Sequence, residues 1–469
     1  MQQTRTERDL LGEKQVPADA YYGIQTARAL ENFRITGLRI HPALVRGLAQ
    51  VKKAAAQANF RLGYLPAAVA DAIVQACDEI LAGGLADQFL VDPVQGGAGT
   101  SANMNANEVI ANRAIEILGG QKGDYTLVSP NDHVNFAQST NDAFPTALRL
   151  AVLERADVLL ESLRTLEEAL HAKAAEFDDV VKMGRTHLQD AVPIRLGQEF
   201  EAWHTAVQRG RRRIEQALEG LHEINMGATA VGTGLNADPH YPPLVTKLLS
   251  ENTGRALRQP ANLVDATQSL DPFVALSGSL KALAVTLSKI ANDLRLMASG
   301  PRCGLYEIRL PEMQPGSSIM PGKVNPVMAE VLNQTCFLVI GLDVTVMMAA
   351  EAGQLELNVM EPVMGHALFT SIDSLANAVR LFTERCVRGI QANRERCEEL
   401  VNRSVGLVTA INPIVGYKNA SAVAREAVLS GRPVRDIVLE KGLLSEDEID
   451  EILSPMALTT MGIAKRKHD

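Results

Sequence analysis

The chain has 469 residues, a formal net charge of −9, 46% hydrophobic and 22% charged residues. That composition excludes a disordered or collagen-like chain, and the acidic balance argues against nucleic acid as a main partner. Aromatic residues are only 4%, with Trp203 the one tryptophan, so the core is built mostly from Ala, Leu, Val, Ile and Met, which favours close-packed helices over a β-sandwich.

The first third is mixed. Apolar spacing predicts helices over 44–59 and 66–82, and a third over 108–118 that follows the glycine-rich stretch Gln95-Gly96-Gly97-Ala98-Gly99-Thr100. The middle differs in kind. Between Pro145 and Gly184 there is no Gly or Pro, and Leu153, Ala156, Leu160, Leu163, Leu166, Leu170 and Phe177 recur at mostly three- and four-residue steps. That is one long helix with a stripe facing a bundle. A second long helix is expected over 197–225. A third starts near Pro272, with Leu276, Leu280, Leu283, Leu287, Ile290, Leu294 and Met297 on one face. A fourth and fifth are expected over 327–352 and 366–393, and shorter ones over 420–429, 434–441 and 446–453. Helices this long bury their faces against each other or another subunit. The expectation is an all-α chain: a mostly helical N-terminal part (1–140), a central elongated bundle (141–394) and a small helical C-terminal part (395–469), completed by oligomerisation.

The five cysteines, Cys77, Cys303, Cys336, Cys386 and Cys397, are odd in number and include no C-x-x-C pair. This points to a reducing compartment and against a disulfide framework or a zinc site. The opening Met1-Gln2-Gln3-Thr4-Arg5 lacks the apolar core of a signal peptide, and no run of 18 apolar residues marks a membrane span. A cytoplasmic protein with no membrane partner is expected. The basic tail Lys465-Arg466-Lys467 reads as a solvated end.

Four polar clusters interrupt the apolar pattern. The loop Gly316-Ser317-Ser318-Ile319-Met320-Pro321-Gly322-Lys323-Val324-Asn325-Pro326 lies between two long helices. Lys323 offers a charge and Asn325 an amide donor, both suited to a carboxylate. Gly99-Thr100-Ser101 and Gln138-Ser139-Thr140-Asn141-Asp142 put hydroxyls and amides near helix N-termini, where they either cap the helix or attract an anion. Gly184-Arg185-Thr186-His187-Leu188-Gln189-Asp190 contains a histidine that is either structural or catalytic. None shows metal-ligand spacing, and no nucleotide-binding fingerprint occurs. If the clusters converge, they form a site for a small di- or tricarboxylate.

The loop G-S-S-x-M-P-x-K-x-N, carried by residues 316–325, resembles the signature of the aspartase/fumarase superfamily. The other clusters match that family's shared regions in order, as do Leu11-Gly12-Glu13, Ala20-Tyr21-Tyr22-Gly23 and Asn225-Met226-Gly227-Ala228-Thr229-Ala230-Val231-Gly232-Thr233-Gly234-Leu235-Asn236. Gly99-Thr100-Ser101 and Gln138 to Asp142 look like the aspartate ammonia-lyase branch, with fumarate hydratase as the alternative. The resemblance implies deamination of L-aspartate to fumarate through an aci-carboxylate. It implies that Thr100, Ser139, Thr140 and Ser318 bind the β-carboxylate, that Lys323 and Asn325 hold the α-carboxylate, and that Asn141, Thr186 and His187 lie near the amino group. The base is Ser317, or else His187 oriented by Glu330. The resemblance also implies a homotetramer whose active sites draw on three subunits, with residues 312–326 as a mobile loop. No cofactor or metal is implied at the site, and Mg2+ activation is not readable.

Overall fold

The long apolar stripes become long helices. The computed structural model describes residues 3–462, so the Lys465–Lys467 tail and the first two residues of the N-terminal stretch lie outside the described residues. The chain opens with a two-stranded antiparallel ladder, β1 (Thr4–Asp9) and β2 (Gly12–Pro17). Helices α1 (Ile24–Asn32), α2 (Pro42–Arg61), α3 (Ala67–Leu81) and α4 (Thr100–Ile117) follow. Next come α5 (Thr140–Glu176), a hairpin of β3 (Val181–Thr186) and β4 (Gln189–Arg195), and α6 (Leu196–Leu218). Then come α7 (Tyr241–Thr253), α8 (Leu263–Gln268), α9 (Asp271–Met297), the short strand β5 (Ile308–Arg309), α10 (Val327–Glu351) and α11 (Glu361–Arg385). The chain finishes with β6 (Gln391–Ala392), which pairs with β5, and six short helices: α12 (Arg394–Arg403), α13 (Val408–Val415), α14 (Tyr417–Ser430), α15 (Val434–Glu440), α16 (Glu446–Ile452) and α17 (Pro455–Thr459).

The fold is all-α in character, with helices carrying the core. The seven residues expected on the α5 stripe and the seven expected on α9 are all buried. Three boundaries differ from the sequence reading. Helix α4 starts eight residues earlier than expected, because its buried asparagines are satisfied by neighbours. Asn105 holds the Leu90 N–H and the Gln88 carbonyl, while Asn112 holds the Tyr21 carbonyl and the Gly123 N–H. Tertiary hydrogen bonds thus outweigh poor helix propensity. Helix α6 stops at Leu218, where a short 3₁₀ turn takes over. Helix α11 lies about a turn earlier than expected. Asn358 spans the connection ahead of it, donating to the last carbonyls of α10 at Ala349 and Ala350 and accepting from the Met360 N–H. The three two-stranded ladders were not anticipated.

The chain divides into two compact units. One holds the residues up to 160, 211–284 and 337–375. The other holds 161–210, 285–336 and the residues from 376 on. In the second unit, Met183 joins Val401, Ile411, Val423, Ile437 and Ile449 in one apolar cluster, so the last helices pack on the β3–β4 hairpin. Among the described residues two helices, α9 and α10, are long and apolar enough to cross a membrane by length and composition alone. Half of the α9 window is already buried inside the protein, and Asp343 of α10 accepts from Ser277 of α9 at 2.7 Å and pairs with Lys281 at 2.5 Å. These are the features of bundle helices.

Candidate active site

In the first unit the site is built by two helix starts. Helix α4 begins at Thr100 because Gly99 takes φ 87°, the left-handed region that favours glycine. A Cβ at Gly99 would also lie 2.5 Å from the Phe144 ring. Helix α5 begins at Thr140. The Ser139 hydroxyl accepts from the Asn141 N–H at 3.2 Å, and the Ser139 N–H donates to Asp142 at 2.9 Å. Ser139 and Asp142 thus cap the helix, and because the Ser139 hydroxyl caps as an acceptor, this does not preclude its donating to an anion. The two starts bring the Thr100 and Thr140 hydroxyls within 3.3 Å of each other. Most first-turn N–H groups are already taken, Thr100 by Gly97, Ala102 by Gln95 and Asn141 by Ser139, so the two hydroxyls and the helix dipoles are what favour a carboxylate here.

Behind the threonines lies a buried polar layer. Asn103 donates to Thr140 and to Asn135, both at 3.3 Å. Lys52 donates to Asn135 and Gln138, both at 2.9 Å. Burial pushes the Lys52 ammonium down to about 7, opposed by the charge of Asp142. Burial pushes the Asp142 carboxyl up to about 7, opposed by the N–H groups of Thr229, Ser139 and Gly227 and by Lys52. Asp142 thereby ties the start of α5 to the 225–236 segment, accepting from the Gly227 and Thr229 N–H groups at 3.1 and 3.0 Å. Pro145 strengthens the same link. It has no N–H for the Asn141 carbonyl four residues back, and Asn225 donates to that carbonyl instead at 3.0 Å. Asn141 in turn donates to the Ala230 carbonyl at 2.7 Å. Lys52, Asn103 and Asn135 were not singled out from the sequence. For Lys52 a signal existed: it falls on the same face of α2 as Leu48 and Ala55, both fully buried.

In the second unit the 316–325 loop is closed on itself. The Gly316 N–H donates to the Lys323 carbonyl at 2.7 Å, and Asn325 donates to the Gly316 carbonyl at 2.8 Å. A Cβ at Gly316 would lie 2.5 Å from the Lys323 carbonyl oxygen, so only glycine allows this approach. The half-buried Ser317 hydroxyl accepts from the N–H groups of Ile319 and Met320 at 3.3 and 3.2 Å. Ser318 and Lys323 are exposed. Thr186 and His187 sit at the tip of the β3–β4 hairpin, also exposed, with Thr186 paired to Gln189. The two turn residues, His187 and Leu188, take φ 56° and 59°. Below the tip, buried Glu307 pairs with Arg185 at 2.8 Å and Lys182 at 3.3 Å, which fixes the hairpin to the segment leading into the loop. Among the described residues no hydrogen bond joins His187 to the loop or to Glu330.

Two helix starts that favour an anion and a glycine-closed loop bearing Ser317, Ser318, Lys323 and Asn325 have a clear match among known proteins. The lyase family matches residues 12–341, and the fumarase C C-terminus family matches residues 407–460. The chain belongs to the lyase family. An aspartate ammonia-lyase from Bacillus sp is 57% identical to this lyase over 99% of both chains. Among solved structures, the fumarate lyase:delta crystallin from Brucella melitensis, solved bound to cobalt, superposes with a TM-score of 0.95 at 52% identity, covering 97% of this chain and all of that one. A class II fumarase from Schistosoma mansoni superposes with a TM-score of 0.93 at 39% identity over 97% of this chain and 98% of its own.

Proposed function

We propose that this lyase is a carbon–nitrogen lyase that reversibly removes ammonia from L-aspartate to give fumarate. The observation that carries the choice is the 57% identity, end to end, with an aspartate ammonia-lyase. The class II fumarase shares the fold almost as well at 39%, so hydration of fumarate to malate is the competing reaction. Fumarate absorbance, followed with and without ammonium, separates them. Consumption only with ammonium is the expected result, and equal consumption without it would make the protein a hydratase.

In this reading the base removes a proton from Cβ, and the β-carboxylate takes up the electron pair as an aci-carboxylate. That group then carries two negative charges. The pair returns to form the Cα=Cβ bond as the Cα–N bond breaks and the amine leaves. Thr100, Ser139, Thr140 and Ser318 bind the β-carboxylate most tightly in its dianionic form, where losing one such donor typically costs about 2.7–4 kcal/mol. Lys323 and Asn325 hold the α-carboxylate, and Asn141, Thr186 and His187 lie by the amino group. Ser317 is the base. A free serine hydroxyl is too weak an acid for this role, but the Ile319 and Met320 N–H groups already point at its oxygen and would hold an alkoxide. No cofactor is needed for these steps.

The same proposal makes the protein a cytoplasmic homotetramer with three parts per chain, 1–140, 141–394 and 395–469, and with each active site drawn from three subunits. The 312–326 loop closes over substrate, because excluding water strengthens every donor in the site.

A further inference from the structure

Away from every residue used above, two imidazoles converge on one carboxylate in the second unit. Glu201 and His204 stand three residues apart on α6, which puts them on one helix face. His171 reaches them from α5. Glu201 Oε2 lies 2.9 Å from His171 Nδ1, and Glu201 Oε1 lies 2.9 Å from His204 Nδ1. All three candidate ligand atoms fall within 4.8 Å of one another, and the two rings are tilted with centroids 5.1 Å apart. In a tetrahedral site with metal–ligand bonds of about 2.0–2.2 Å, ligand atoms stand about 3.3 Å apart. The two imidazoles meet different oxygens of Glu201, and with one ligand atom from each residue the three already lie within 4.8 Å of one another. Small rotations of Glu201 and of His171, whose side chain is 66% exposed, bring one oxygen and both nitrogens to that spacing.

We propose that His171, Glu201 and His204 form a three-ligand site for a divalent transition ion of the Zn2+ class, with water completing the coordination. Two nitrogens and one carboxylate select such an ion over Mg2+ or Ca2+, which prefer all-oxygen shells. A plain hydrogen-bonded His–Glu–His bridge is the alternative, and it binds no metal.

The position of the cluster gives the ion a task. Helix α5 runs into the β3–β4 hairpin, and α6 runs out of it. The two helices meet in backbone contact at Gly197, where a Cβ would lie 2.4 Å from the Ala174 carbonyl oxygen. Phe177 and Phe200 pack edge to face beside that crossing, with centroids 5.3 Å apart. His171 and Glu201 lie about one turn beyond it on their own helices. A metal there is a second strut across the base of the hairpin that displays His187.

The test uses the full-length, tag-free protein, stripped with a chelator and then given Zn2+, Co2+ or Mg2+. The expected result is uptake of one Zn2+ per chain with a rise in Tm. Co2+ should give the visible absorption of a tetrahedral site, and proteolysis at the His187–Leu188 turn should slow. His204→Ala and Glu201→Gln should each abolish uptake, the Co2+ band and the metal-dependent Tm rise. The comparison is made with and without metal for each variant, so a loss of basal stability does not obscure it. Absence of uptake, uptake unchanged in both variants, or an equal response to Mg2+ would overturn the site. Uptake without slower cleavage would overturn the strut.

Discussion

Ser317 and His187 compete for one role, and their surroundings differ. The Ser317 oxygen is met by two backbone N–H groups, which would stabilise it as an anion. His187 and Leu188 hold left-handed backbone angles at the hairpin tip, a strain that side-chain-bearing residues avoid unless something else requires it. The two-residue hairpin turn between paired Thr186 and Gln189 is what requires these angles, and they display the imidazole at the tip without making it the base. Ser317→Ala should lower kcat on the order of 10²–10⁴-fold, the usual range for a positioned acid or base, with Tm unchanged. His187→Ala should lower kcat much less. Steady-state kinetics on both variants decides the matter, and the reverse order would reassign the base. Gly99 gives a second prediction at this scale. Gly99→Ala places a methyl against the Phe144 ring at a backbone angle alanine resists. Overpacking of this kind costs about 1–3 kcal/mol. The variant should melt earlier, and its kcat should fall because Thr100 shifts away from Thr140.

At the scale of elements, period and chemistry were not equally legible. The stripes of α5 and α9 stood out because uninterrupted apolar spacing has few other solutions. The signature loop was legible from its glycines and polar residues, and its closure through Gly316 follows from the same glycine. The start of α4 was hidden by asparagines whose partners are distant in sequence. The β3–β4 hairpin was hidden because its strands are short and one contains Gly184. Helix α4 also anchors α1 through one buried side chain. Glu108 accepts from the N–H groups of Gly23, Gln25 and Thr26 and from the Thr26 hydroxyl. Burial pushes its carboxyl up to about 7 from an ordinary 4.5, against the pull of those donors. A carboxyl whose pKa is raised on folding lends stability that is complete below 4.5 and fades as pH rises through about 7. Tm should therefore decline across that window. Glu108→Gln, which cannot titrate, should flatten that part of the Tm–pH curve; an unchanged slope would remove Glu108 from the account.

At the scale of the whole molecule, α10 poses the question of what covers its outer face. Its inner face is buried through Ala329, Leu332, Cys336, Val339, Val346 and Ala349. Its outer face is nearly as apolar: Val331, Phe337, Leu338, Val344, Met347 and Met348 are all exposed, Phe337 at 61% and Met348 at 63%. Together with Gln334 and Gly341 they recur at three- and four-residue steps, so they line one face of the helix. A helix that is apolar all round is buried all round, and fully burying one large apolar side chain is worth about 1.5–3 kcal/mol. Further copies of this chain, packing their own α10 helices against it, are the partners that the proposed tetramer supplies. Replacing Phe337 and Met348 together with Asp should therefore split the assembly while leaving each chain's helices in place. Sedimentation should report a smaller species, circular dichroism should report unchanged helix, and activity should vanish because no single chain completes the proposed site. A variant that keeps the mass of the unmodified protein would show that this face is not the interface. A monomer with full activity would show that one chain suffices.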